Sequence, residues 1–145
     1  MPIVFTYQKK ADFPDKRLLK KFIAQIITNH NKTPNIFFIF CSDAFLLKIN
    51  NKFLRHNYYT DILTFDLSQS TQSLDADIYI SIDMIKYNAK MYHIALNEEV
   101  KRVMFHGILH LLQYSDKKEK QKEIMRKMEN KLLKDFKNFV SRETN

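Results

Sequence analysis

Glycine is almost missing from this chain: Gly107 is the only one in 145 residues. A composition poor in Gly and rich in Lys, Asn, Ile and Phe also follows from AT-rich coding, so part of its basicity belongs to the genome rather than to a ligand. Cysteine is equally scarce. Cys41 stands alone, which excludes an internal disulfide, and its place in an apolar run reads as a packed core thiol rather than a nucleophile. No apolar run approaches the roughly 18 residues of a membrane-spanning helix, and the longest candidate, residues 36–41, is soon broken by Asp43. The first seven residues lack the basic region and small-residue cleavage site of a signal peptide, so a cytoplasmic location is expected. There is no internal repeat and no low-complexity domain.

What is present suits a single domain over residues 1–145, with 45% hydrophobic residues to build a core. A net charge of +8 and a pI near 9.5 favour a polyanionic partner, nucleic acid or an anionic surface. Residues 3–7 are β-branched and aromatic and predict a strand. From Asp15, Leu18, Leu19, Phe22, Ile23, Ile26 and Ile27 recur at helical spacing. After a polar turn carrying Pro34, residues 36–40 read as a central strand. Ser42 is placed to cap a helix with Phe45, Leu46, Ile49 and Phe53 on its inner stripe. Strands are expected at 62–65 and 77–81, joined by a small polar linker, and the end of the second, Ser81, is placed to cap a helix over 82–92. Asn97, followed by Glu98 and Glu99, predicts another helix start. A final charged helix over about 118–139 has Ile124, Met128, Leu132 or Leu133, and Phe136 as its inner stripe. The order β-α-β-α-β-β-α-α-α predicts an α+β fold, a small mixed four-stranded sheet covered by about five helices.

The chemistry concentrates in residues 106–116, His-Gly-Ile-Leu-His-Leu-Leu-Gln-Tyr-Ser-Asp. His106 and His110 project from nearly the same helical face one turn apart, the spacing of two metal-ligating imidazoles. Asp116 follows a helix end near Gln113 and Tyr114, where a returning loop brings a third donor. Two His and one carboxylate satisfy the inventory of a catalytic zinc site with an open coordination position. The position after the first His, a general-base Glu in metalloprotease helices, is here Gly107. Glycine within a helix costs about 1 kcal/mol relative to alanine, so close approach of a substrate or a neighbouring backbone is expected there.

His106-Gly-x-Leu-His110-Leu followed by Tyr114 and an acidic residue resembles the YbeY family of metal-dependent endoribonucleases acting in ribosomal RNA maturation. Tyr59-Thr-Asp-Ile-Leu-Thr-Phe65 is similar to the family's Pro-Thr-Asp-Val-Leu-Ser-Phe strand, and Asp75-Ala-Asp-Ile-Tyr-Ile-Ser81 to its Gly-Asp-Ile strand. The usual motif ends Gly-Tyr-Asp-His; here Ser115-Asp116 occupy the Asp-His positions, and Gln113 stands where a left-handed turn is eased by Gly. The resemblance implies one Zn2+ ion held by His106, His110 and Asp116, with oxygen replacing the nitrogen of the third ligand.

It also implies hydrolysis of RNA phosphodiesters by metal-activated water, with ribosomal RNA and the small ribosomal subunit as partners. The family's loop arginine aligns with Leu54, and Arg55 lies one residue later. Arg55 or His56 is the expected neutraliser of the scissile phosphate, and Tyr58 or Tyr59 a stacking surface for an unpaired base. Asp61 is either a cap or the carboxylate acceptor for a ligand imidazole. Residues 117–137 carry nine Lys and Arg against four Asp and Glu, a cationic face open to solvent or to RNA. Two other classes share these residues: a non-catalytic RNA-binding assembly factor with a structural metal, and a zinc peptidase or amidase.

Overall fold

The computed structural model describes residues 3–56 and 60–145. Its elements are β1 (Ile3–Tyr7), α1 (Lys16–Asn29), β2 (Thr33–Cys41), α2 (Asp43–Leu54), β3 (Ile62–Asp66), β4 (Ser73–Ser81), α3 (Ile82–Met91), α4 (Leu96–Leu111) and α5 (Glu119–Thr144). The sheet runs β1-β2-β4-β3. β1, β2 and β4 are mutually parallel along that order, and β3 lies antiparallel to β4 as an edge. The expected α+β class, the mixed four-stranded sheet and the five helices are all found.

Alternation along the two central strands sends Ile36, Phe38 and Phe40 and their neighbours Ala76, Ile78 and Ile80 to one face, all essentially buried. α1 and α4 cover that face, and α5 packs across both helices. Their contact is aromatic, with Phe22 of α1 edge-on to Phe105 of α4 and Phe136 of α5 at centroid distances of 5.7 and 5.3 Å. Across the sheet, α2 builds a smaller core from Leu46 with Cys41 and Leu63. Phe53, expected on the inner stripe of α2, is 59% exposed, and Asn50 is buried instead. α2 covers only the β3–β4 corner, too narrow a support to bury its last turn.

Both central strands are longer than expected. β2 begins at Thr33 and accommodates Pro34 because β1 pairs only from Ile36 onward, so the missing proline N–H falls where no β1 residue is opposite. β4 begins at Ser73; Asp75 and Asp77 alternate onto the outer face while Leu74 and Ala76 enter the core. The two serine caps form as expected, with Ser42 Oγ accepting the Phe45 N–H and Ser81 Oγ accepting the Met84 N–H, each at 3.1 Å. The Asn97 cap does not form. α4 starts at Leu96 behind Ala95, whose backbone carbonyl accepts from Glu98 and Glu99, and no side chain caps it.

The scarcity of glycine shows in the backbone. Asn31, Arg55, His93 and Gln113 all take positive φ just beyond helix ends. At Gln113 (φ 79°) the Tyr114 N–H reaches the Leu109 carbonyl and the Gln113 N–H that of His110, each at 3.0 Å, a complete Schellman closure without glycine. Gly107 serves a different end. A Cβ there would meet Ile62 Cδ1 at 2.9 Å and Ile78 Cγ2 at 3.4 Å, so what approaches closely is neither a substrate nor a backbone but side chains of β3 and β4.

Candidate active site

α4 lies between the sheet and α5, and residues Glu99, Arg102, Val103 and His106 on one of its faces line a cleft of about 390 Å³. Asp61, just before β3, lines it from the sheet side, and Asp116 closes it from the loop after α4. α5 completes it with Lys122, Met125, Arg126 and Glu129.

His106 is held at both ring nitrogens. Its Nδ1 lies 2.7 Å from Glu129 Oε2 and its Nε2 3.3 Å from Asp116 Oδ2. Glu129 is 5% exposed, and its other oxygen accepts from Arg102 Nη1 at 3.2 Å. Arg102 also donates to Asn130 Oδ1 at 3.0 Å and lies 3.9 Å from Glu99, itself buried. The hydrogen bond that His106 donates to Glu129 is the main cause that raises the His106 pKa above its usual value; Asp116 and Asp61 add to it, and burial opposes it. Burial pushes the Asp61 carboxyl up, with His106 acting in the opposite sense. The Asp61 carboxylate accepts from Asn88 Nδ2 at 3.4 Å and its backbone carbonyl from the Ser81 N–H at 2.9 Å. Glu99 is likewise raised, first by burial.

Of the expected metal donors, His106 and Asp116 meet. Two ligands held tetrahedrally about 2.1 Å from one zinc ion stand about 3.4 Å apart, close to the 3.3 Å between Nε2 and Oδ2. The Glu129 contact is also what a ligating imidazole needs, a carboxylate taking the other ring N–H and fixing the tautomer. His110 does not join them. It is exposed and lines a neighbouring cleft with Thr64, Asp66 and Gln113. Among the described residues no three His, Cys, Asp or Glu side chains are grouped as a metal site. The residues thus fit the ion in part, by two donors and a supporting carboxylate.

Arg55 and His56 sit at the exposed C-terminal end of α2, Arg55 in a left-handed conformation, and neither is among the residues lining the His106 cleft. Tyr58 and Tyr59 lie outside the described residues. Between the two roles expected for Asp61, the partner of His106 Nδ1 is Glu129 instead. By sequence, Glu129 is one of the four acidic residues on the cationic last helix, with nothing in the motif to single it out. The signal was present in its spacing, because Met125, Glu129, Leu132 and Phe136 form the buried stripe of α5, whereas Ile124 is 46% exposed.

A family model described as Endoribonuclease YbeY matches residues 4–137. An "Endoribonuclease YbeY" from Karelsulcia muelleri is 44% identical over 88% of this chain and 90% of its own. One from Bacteroides thetaiotaomicron is 42% identical over 88% of this chain and 96% of its own. One from Cytophaga hutchinsonii reaches 50% over 66% and 67%. A solution structure of a Thermotoga maritima protein shares the fold, with a TM-score of 0.64 at 20% identity over 97% of this chain and 93% of that one.

Proposed function

Because the chain belongs to the endoribonuclease YbeY family, we propose that it is a zinc-dependent endoribonuclease that cuts single-stranded ribosomal RNA during ribosome maturation, carried by one domain over residues 1–145. The observation that carries this reading is the alignment of Glu129, His106 and Asp116 across the cleft. In our reading His106 and Asp116 hold the ion, and His110, which here faces the neighbouring cleft, would turn in as the third donor. A bound zinc ion supplies Lewis acidity and activates water for hydrolysis at neutral pH.

The chain's own residues prepare that chemistry. Glu129, clamped by Arg102, keeps the His106 proton on Nδ1 and turns the Nε2 lone pair into the cleft. Asp61 and Glu99 both hold their protons to a higher pH than an ordinary carboxyl, and Asp61, the less buried of the two, is the one placed to carry a proton to or from the reacting phosphate. No helix among the described residues is long and apolar enough to cross a membrane.

The test is cleavage of a single-stranded ribosomal RNA fragment by the purified chain before chelation, after it, and with zinc restored. Cleavage should vanish and return, His110→Ala should abolish it, and casein and small amides should remain intact. Metal-free protein that cleaves as fast as zinc-loaded protein would refute the hydrolase mechanism. RNA binding without any cleavage would favour the assembly-factor class, and preferential amide hydrolysis the peptidase.

A further inference from the structure

The cleft contains cations with different degrees of commitment. Arg102 is bound into the buried carboxylates, with only 17% of its side chain exposed. Lys122 and Arg126 of α5 stand at the mouth with 56% and 62% of their side chains exposed. Lys122 lies 3.6 Å from Glu119, whose side chain is 91% exposed, and Arg126 Nε lies 4.0 Å from Glu129. The Lys122 pair is open to water at both ends and contributes little, and Arg126, at 4.0 Å from Glu129, is beyond hydrogen-bond distance; both cations can exchange for another anion. The two residues are four apart and therefore neighbours on one helical face. They also line a second concavity, about 420 Å³, together with Lys127 and with Glu119 and Glu123. They thus form a ridge shared by the His106 cleft and the outer groove.

We propose that Lys122 and Arg126 form a phosphate-binding subsite that guides the backbone of a single-stranded polynucleotide from the outer groove of α5 into the His106 cleft. The inference rests on the nuclease reading for its ligand but concerns binding rather than cleavage. The cleft interior is crowded with carboxylates, Asp61, Glu99, Asp116 and Glu129, and repels a polyanion that is not held at the mouth. Two cations on the ridge supply that hold, while Arg55 lies outside the cleft lining.

The experiment measures binding of a fluorescent single-stranded RNA oligonucleotide to the full chain as a function of salt. Two phosphate contacts on a single strand contribute about 1.4 to the slope of log K against log salt. Lys122→Ala/Arg126→Ala should reduce the slope by about that amount, and Lys122→Arg/Arg126→Lys should keep it. Lys134→Ala/Lys137→Ala, which removes the same charge from exposed positions elsewhere on α5, should leave it nearly unchanged. In cleavage the first variant should raise KM with little change in kcat. Equal slope losses in both alanine pairs, or no loss in the first, would overturn the subsite. Cleavage that persists with an unchanged slope would overturn the subsite alone, whereas the predicted slope loss on an RNA that is never cut would overturn the nuclease reading alone.

Discussion

Replacing Glu129 by Gln removes one charge from the centre of the site while keeping its shape. The wild-type carboxylate accepts from His106 at 2.7 Å and from Arg102 at 3.2 Å, in a position only 5% exposed. Hydrogen bonds to charged groups contribute roughly 1.5–3 kcal/mol each. The amide can satisfy only one neighbour as acceptor. Its oxygen should stay with the Arg102 cation, which turns its NH2 toward His106 Nδ1 and forces the ring proton onto Nε2. We expect a loss of roughly 2–3 kcal/mol, which for a domain of this size lowers Tm by roughly 6–12 °C. Zinc affinity should fall about 10- to 100-fold.

The sign of the pH dependence follows from the raised His106 pKa. In metal-free protein this group stabilises the fold fully below its unfolded value of about 6.5, and the contribution disappears as pH rises through the folded value. The variant should flatten that dependence and bring the His106 titration, followed by NMR of the ring, back down. An unchanged Tm together with an unchanged ring tautomer and titration would refute the orienting role of Glu129.

Gln113→Gly should stabilise the chain by about 0.5–1 kcal/mol, because the Schellman turn already holds φ at 79° there; denaturant unfolding that shows a loss would contradict this. Asp83 accepts from Lys9 and, at 2.8 Å, from the Asp43 N–H, interactions that lower its pKa. Its contribution is therefore present above the ordinary value of 3.8 and lost as pH falls through the depressed one. Asp83→Asn should be destabilising at neutral pH, with the deficit closing only in strong acid. Cys41 is fully buried, donates toward the Ile80 carbonyl at 3.5 Å and has its pKa pushed up to about 12, chiefly by burial. In native protein it should resist thiol reagents and react only on unfolding; rapid labelling would show that the second core opens.

The elements legible in the sequence were those whose signal is local. The repeat of Leu18, Leu19, Phe22 and Ile23 specifies α1, and the caps at Ser42 and Ser81 mark helix starts because one hydroxyl satisfies one nearby N–H. Asn97 carries the same local signal and fails, since the N-cap is Ala95, two residues earlier, and its carbonyl serves the first turn. The early part of β4, before Asp77, is obscured by Asp75, a polar residue to which the sheet gives an open face.

In the site, His106 and Asp116 could be named from spacing because both belong to one helix and its following loop. Glu129 could not be assigned a role from the motif, since only the packing of α5 on α4 brings it to a ring 23 positions earlier. Nor does the four-residue spacing of the histidines decide their surroundings. His110 stands about 40° further round the helix than His106, enough to open onto a different cleft at the end of α4.

The central claim is that this cleft is built around a metal held by His106. Its most direct measurement is zinc stoichiometry and affinity, by elemental analysis and calorimetry, on protein purified without chelator and on His106→Ala, His110→Ala and Asp116→Ala. The wild type should carry about one equivalent, as for a mononuclear catalytic site, and all three variants should show marked loss. Wild-type protein with well under one equivalent of any transition metal, and no gain on adding zinc, would contradict it.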